Sequence, residues 1–144
     1  MSDAFPVTIF HNPACGTSRN VVAMVEAAGY RPEVVEYLQA GWTPVQLRAL
    51  FAEAGISPRQ ALREKGTPAA ELGLLDPEAS EAAILAAMVE HPVLVNRPIV
   101  RTPKGAAMCR PSERVFDLLE RAPGGFVKED GEVVIPASSG AAAR

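Results

Sequence analysis

The residues best suited to chemistry lie in one stretch, Phe10-His11-Asn12-Pro13-Ala14-Cys15-Gly16-Thr17-Ser18-Arg19-Asn20, where a cysteine joins an apolar run to an amphipathic one. A thiolate is the reactive form of cysteine. Helix N-termini and neighbouring cations lower its pKa from ~8.5 into a range of about 3.5–7.5. Gly16 allows close backbone approach to the sulfur, and Thr17, Ser18 and Asn20 can cap N–H groups or donate to a bound oxyanion. The pattern points to nucleophilic or redox chemistry on an anion. A buried, inert cysteine at a strand–helix corner is the competing reading, and the polar neighbours count against it. Two related patterns are absent. The third residue beyond Cys15 is Ser18, so there is no C-x-x-C dithiol, and an oxidised Cys15 needs a thiol from elsewhere. A C-x5-R phosphatase loop would need arginine where Val21 stands.

The flanking elements must hold this cysteine at a helix start. Pro6-Val7-Thr8-Ile9-Phe10 reads as a strand, and Val21, Val22, Met24, Val25 and Ala28 recur at helical spacing until Gly29. The unpaired N–H groups and aligned dipoles of that helix start favour an anion. Glu33-Val34-Val35-Glu36-Tyr37-Leu38 reads as a second strand, completing a βαβ unit with parallel strands. Thr43-Pro44-Val45-Gln46 and Ser57-Pro58-Arg59-Gln60 each combine an N-cap, a proline at the first helical position and a capping-box Gln. The second helix leaves Arg59 and Arg63 on one face. Ser80 caps a further helix carrying Ile84, Leu85, Met88 and Val89. Val93 to Val100 suits a buried strand approach, broken at Arg97-Pro98, where a cis peptide is expected. A hairpin turning at Pro103-Lys104-Gly105 returns through Ala106-Ala107-Met108-Cys109. A last helix carries Val115, Phe116, Leu118 and Leu119, and a final hairpin turns at Asp130-Gly131. The expected organisation is one domain over residues 1–135, a helical insertion at about 43–90, and a frayed tail over 136–144.

Composition sets bounds on the function. A chain of 144 residues with 48% hydrophobic and 22% charged residues suits one globular domain. A net charge of -3 gives no reason to expect nucleic acid. The apolar runs are too short for a membrane span, and Met1-Ser2-Asp3-Ala4-Phe5 lacks the order of a signal peptide. Two cysteines suit a reducing cytosol better than a disulfide scaffold, so a cytoplasmic location is expected; a monomer is expected as well.

The element order β-α-β, helical insertion, β-β-α matches the thioredoxin or glutaredoxin topology, with a cysteine at the first helix facing a cis-proline before the third strand. The residues carry a closer resemblance. His11 through Asn20, with Asn96-Arg97-Pro98-Ile99-Val100 and Cys109-Arg110-Pro111-Ser112-Glu113, resembles the glutaredoxin-coupled arsenate reductase family. The similarity extends through Gly55-Ile56-Ser57, Leu72-Gly73-Leu74 and Lys128-Glu129-Asp130-Gly131-Glu132. It implies an α/β, thioredoxin-like three-layer core with the helical insertion between the second and third core strands. It also implies reduction of arsenate to arsenite, as part of arsenic detoxification, with glutathione as co-substrate, glutaredoxin as partner and no tightly bound cofactor or metal. By the same resemblance Cys15 is the nucleophile and Arg63, Arg97 and Arg110 bind the oxyanion. The implied support comes from His11, Gly16, Thr17, Ser18, Arg19 and Pro98, with His11 favouring the thiolate and Ser18 and Arg19 contacting it or the helix end. Arginine's fork of donors suits such oxyanions, and preorganised cations offset the repulsion between two anions. Cys109 is read as a packed thiol rather than an internal resolver. Two alternatives remain at this level, a related glutathione-dependent reductase of another substrate and a redox regulator that binds RNA polymerase.

Overall fold

The computed structural model describes residues 5–134, so the tail expected over 136–144 lies outside the described residues. The described residues form two compact units, one made of residues 5–36 and 97–134, the other running from Tyr37 to Asn96.

The first unit is built on a four-stranded sheet in the order β2-β1-β3-β4, from β1 (Thr8–His11), β2 (Glu33–Glu36), β3 (Ile99–Thr102) and β4 (Gly105–Met108). β1 and β2 run parallel, Thr8 opposite Glu33 and His11 opposite Glu36, because helix α1 (Gly16–Ala27) supplies the crossover. β3 lies antiparallel to β1, Phe10 opposite Ile99, and β4 returns antiparallel through the turn before Gly105. Side chains alternate across a sheet, so Val7, Ile9 and Val100 share one face. There they meet Val21, Met24 and Val25, the apolar stripe of α1, and Val115, Phe116, Leu118 and Leu119. Each fully buried aliphatic contributes about 1.5–3 kcal/mol relative to exposure. Gly29, at φ +96, ends α1: its N–H bonds Glu26 and the Tyr30 N–H reaches back to Val25.

The last helix differs from the expected α-helix. Ser112–Leu118 is a 3-10 helix, tied to the β3–β4 hairpin by the Thr102 hydroxyl donating to the Leu118 carbonyl at 2.7 Å. β4 also stops one residue short of Cys109. The final hairpin pairs β5 (Phe126–Val127) with β6 (Val133–Val134) around Gly131, at φ +93.

The second unit is helical, and it begins earlier than the sequence suggests. Tyr37–Ala40 forms a one-turn helix, α2, so the second strand ends at Glu36 rather than Leu38. Leu38, Gln39 and Ala40 favour helix, and Gly41 at φ +76 closes the turn with its N–H on the Tyr37 carbonyl. α3 (Pro44–Ala54) and α4 (Pro58–Ala61) start with the two expected capping boxes, and Ser80 caps α5 (Glu81–Glu90). Leu47, Leu50, Phe51, Ile84, Leu85 and Met88 are buried. The approach expected to be strand-like contains a 3-10 turn at Pro92–Leu94, and Val95 makes only an isolated bridge with Leu62.

Candidate active site

The C-terminal end of β1 and the start of α1 bracket the cysteine. Between them Asn12 forms an Asx turn: its Oδ1 accepts the Ala14 N–H at 2.9 Å, and its carbonyl accepts the Cys15 N–H at 3.0 Å. Cys15 is then the N-cap of α1, extended at φ -101 and ψ 122, with its carbonyl accepting the Arg19 N–H. The thiol closes no side-chain capping bond of its own. The Thr17 and Ser18 N–H groups instead stabilise the sulfur as an anion.

Two guanidinium-bearing segments complete the surroundings. Arg110 Nη1 lies 3.8 Å from Cys15 Sγ and donates at 3.0 Å to the Arg97 carbonyl, so one group registers the sulfur against the loop before β3. The Arg97-Pro98 peptide is cis, as the sequence suggests, and so is Arg110-Pro111. Cys15 is only 6% exposed, and this burial pushes its thiol up. The Ser18 N–H, the Arg97 charge, the Arg110 hydrogen bond and the Thr17 N–H outweigh it, and the thiol lies below its ordinary value.

The supporting residues take places partly different from those expected. The Ser18 hydroxyl is fully buried and faces away from the chemistry, accepting the Asn12 N–H at 3.1 Å and sharing a 2.7 Å hydrogen bond with His11 Nδ1. His11 is lowered by burial, raised in part by Glu36 and lowered again by Arg19, so the net result is a neutral imidazole at neutral pH. Its route to Cys15 runs through Ser18. Arg19 makes no hydrogen bond to the sulfur. Its Nη1 donates to the Pro13 carbonyl at 2.7 Å, while Nε and Nη2 grip Glu129 at 2.7 and 2.9 Å. Gly16 opens α1, where a methyl group would meet Glu129 Oε1 at 3.6 Å and Arg19 Nη2 at 3.7 Å, ordinary contact distances. Glycine is therefore not demanded there by the protein's own packing.

Arg63 belongs to the helical unit. It follows α4 rather than riding on it, because the helix ends at Ala61, and its N–H bonds the Leu94 carbonyl at 2.8 Å. The pairing of Arg59 and Arg63 on one helical face is thus corrected. Arg59 turns to the carbonyls of Leu74, Asp76 and Ala79. Cys109 is fully buried, its thiol pushed up to about 12 by that burial, with Arg114 offsetting only part. Two contributors lie outside the expected site residues. Asn12 shapes the cysteine loop, where the Asn-Pro turn signal stands in the sequence. Glu129 holds Arg19 from a segment over a hundred residues away, and nothing near Arg19 in sequence announces it.

The assembled group is a thiol whose anionic form is stabilised, beside two guanidinium-bearing residues and the Thr17 and Ser18 N–H donors. It can hold an oxyanion and attack its central atom.

Comparison with known proteins finds similar chains of one family. Arsenate reductase ArsI2 of Synechocystis is 60% identical over 130 residues, covering 90% of this chain and 93% of that protein. The arsenate reductase of Escherichia coli K12 is 46% identical over 90% of this chain and 92% of its own. The solved arsenate reductase from Vibrio cholerae superposes with a TM-score of 0.76 at 38% identity, covering 80% of this chain and 98% of that one. Among the described residues no helix is long and apolar enough to cross a membrane. The fold is the α/β, thioredoxin-like fold expected from the sequence. The ArsC family model matches residues 10–118, and with relatives this similar over nearly the whole chain, the protein belongs to the ArsC family.

Proposed function

We propose that this protein reduces arsenate to arsenite through a covalent adduct on Cys15, resolved by glutathione and glutaredoxin. The observation that carries the reading is a thiol below its ordinary value, 3.8 Å from the Arg110 guanidinium. The Cys15 thiolate displaces a hydroxyl from arsenic(V) and forms a sulfur–arsenic bond. A glutathione thiolate then supplies the second sulfur. The two sulfurs join as a Cys15–glutathione disulfide, the two electrons pass to arsenic, and arsenite leaves. Glutaredoxin takes up the glutathione and restores the thiol.

The external thiol is favoured because Cys109 is buried and pushed up to about 12, far from a competent nucleophile. Arg97 and Arg110 neutralise the oxyanion as the thiolate approaches. Arg63 joins them on the strength of the family motif. On this reading the protein acts as a cytoplasmic monomer without a tightly bound cofactor.

The test is turnover of arsenate by purified protein with glutathione and glutaredoxin. Activity is expected in the intact protein, absent in Cys15→Ser, and reduced with a raised KM in Arg63→Ala. No turnover by the intact protein overturns the reading.

A further inference from the structure

The turn between β5 and β6 touches both segments that carry the reactive pair. Toward α1, the Glu129 carboxylate grips the Arg19 fork at 2.7 and 2.9 Å, and Arg19 passes the hold to the Pro13 carbonyl, two residues before Cys15. The Glu129 N–H also donates to Asn20 Oδ1 at 3.0 Å, which ties the backbone of the turn to the first turns of α1. Toward the other side, Lys128 Nζ reaches the Glu113 carboxylate at 2.8 Å, and Glu113 lies in the first turn of the 3-10 helix just beyond Arg110. Lys128 is almost covered, its side chain 10% exposed, and it holds Glu132 at 3.2 Å as well. The turn is itself firm: the Lys128 N–H bonds the Glu132 carbonyl, and the Glu132 N–H bonds Asp130 Oδ1.

Exposed ion pairs add little to stability, so the value of this arrangement lies in geometry. A bidentate arginine–carboxylate pair fixes direction as well as distance. The contact that needs such control is the 3.8 Å approach of Arg110 to Cys15, whose partners come from segments 95 residues apart. We propose that Glu129 and Lys128 are positioning residues: their turn clamps the Cys15 loop through Arg19 and the Arg110 segment through Glu113, and so holds Arg110 against the sulfur. This rests on the reading of Cys15 and Arg110 as the reacting pair, and it adds a role for the Lys128 to Glu132 segment.

The charges around the sulfur make the test decisive. Arg97, Arg110 and Arg19 are cations that act on Cys15, His11 is neutral, and Glu129 is an anion beside Gly16. Glu129→Gln and Glu113→Gln each remove a negative charge. Coulomb's law alone then lowers the Cys15 thiol pKa and speeds its alkylation at neutral pH. Loss of the clamp does the opposite, because Arg110 leaves the sulfur. The probe is iodoacetamide, with the alkylation rate followed as a function of pH on the full chain. Cys109 stays silent, being buried and pushed up to about 12.

The clamp requires that each variant alkylate about threefold or more slowly at pH 7, with a rise in thiol pKa and thermal unfolding little changed. An unchanged or faster rate in either variant overturns the proposal. This readout uses no arsenate, so its outcome is independent of whether the protein turns arsenate over.

Discussion

Replacing Arg110 with methionine keeps most of the side-chain length and removes the charge that faces the sulfur. At the 3.8 Å separation of Arg110 Nη1 and Cys15 Sγ, two unit charges attract by about 1 kcal/mol with the screening of bulk water, and by about 4 kcal/mol at an effective dielectric of about 20. Arg110 is exposed, so the lower part of that interval applies. A loss of about 1–2 kcal/mol corresponds to about a fivefold to thirtyfold change. Arg110→Met should therefore alkylate more slowly at neutral pH by up to roughly that factor, and arsenate turnover should fall at least as far, since the same guanidinium is asked to meet the oxyanion. Iodoacetamide rates measured across pH separate the causes. The variant and the wild type should converge at alkaline pH, where both sulfurs are thiolates. A neutral-pH rate equal to wild type would refute the idea that Arg110 stabilises the thiolate, and a constant deficit at every pH would point to blocked access instead.

Two further outcomes follow from the buried groups. Cys109→Ser should retain arsenate turnover, while placing a hydroxyl in the apolar core costs on the order of 1–2 kcal/mol in urea unfolding; an inactive, folded variant would make Cys109 a participant. Burial holds the His11 imidazole below its ordinary 6.5, so between the two values the unfolded chain binds the proton that the folded chain refuses. Its contribution to stability is then complete above about pH 6.5 and is lost as pH falls through the folded value. Thermal melts taken from about pH 7 to about pH 5 should decline less steeply in His11→Gln than in wild type, and parallel curves would contradict a buried neutral imidazole.

Local signals carried much of the architecture. Gly29, Thr43 with Gln46, Ser57 with Gln60, and Gly55 in the left-handed region at φ +69 each mark a helix end by a mechanism contained within a few residues. The Asn12-Pro13 turn and the apolar stripe of α1 likewise placed Cys15 at a helix start. Where the reading slipped, competing propensities met. Tyr37 favours strand and the Leu38-Gln39-Ala40-Gly41 run favours a helical turn, and the turn won. In Ser112–Leu118, both three-residue and 3.6-residue periods bury the same apolar side chains, so the sequence could not choose 3-10 over α. The roles of Ser18 and Arg19 were hidden for a different reason. Side chains at a helix start can turn toward the sulfur or away from it, and what turned them away was His11 on one side and Glu129, 110 residues on, at the other.

The central claim is that one protein sulfur and one outside sulfur supply the two electrons that arsenic takes up. It is tested most directly by a single-turnover experiment: reduced protein mixed with arsenate and glutathione without glutaredoxin, quenched, and analysed for arsenite and for intact and peptide mass. The account predicts one arsenite per chain and a glutathione adduct on the peptide containing Cys15. Arsenite formed with Cys15 left as a free thiol, or with a disulfide joining Cys15 to Cys109, would contradict it.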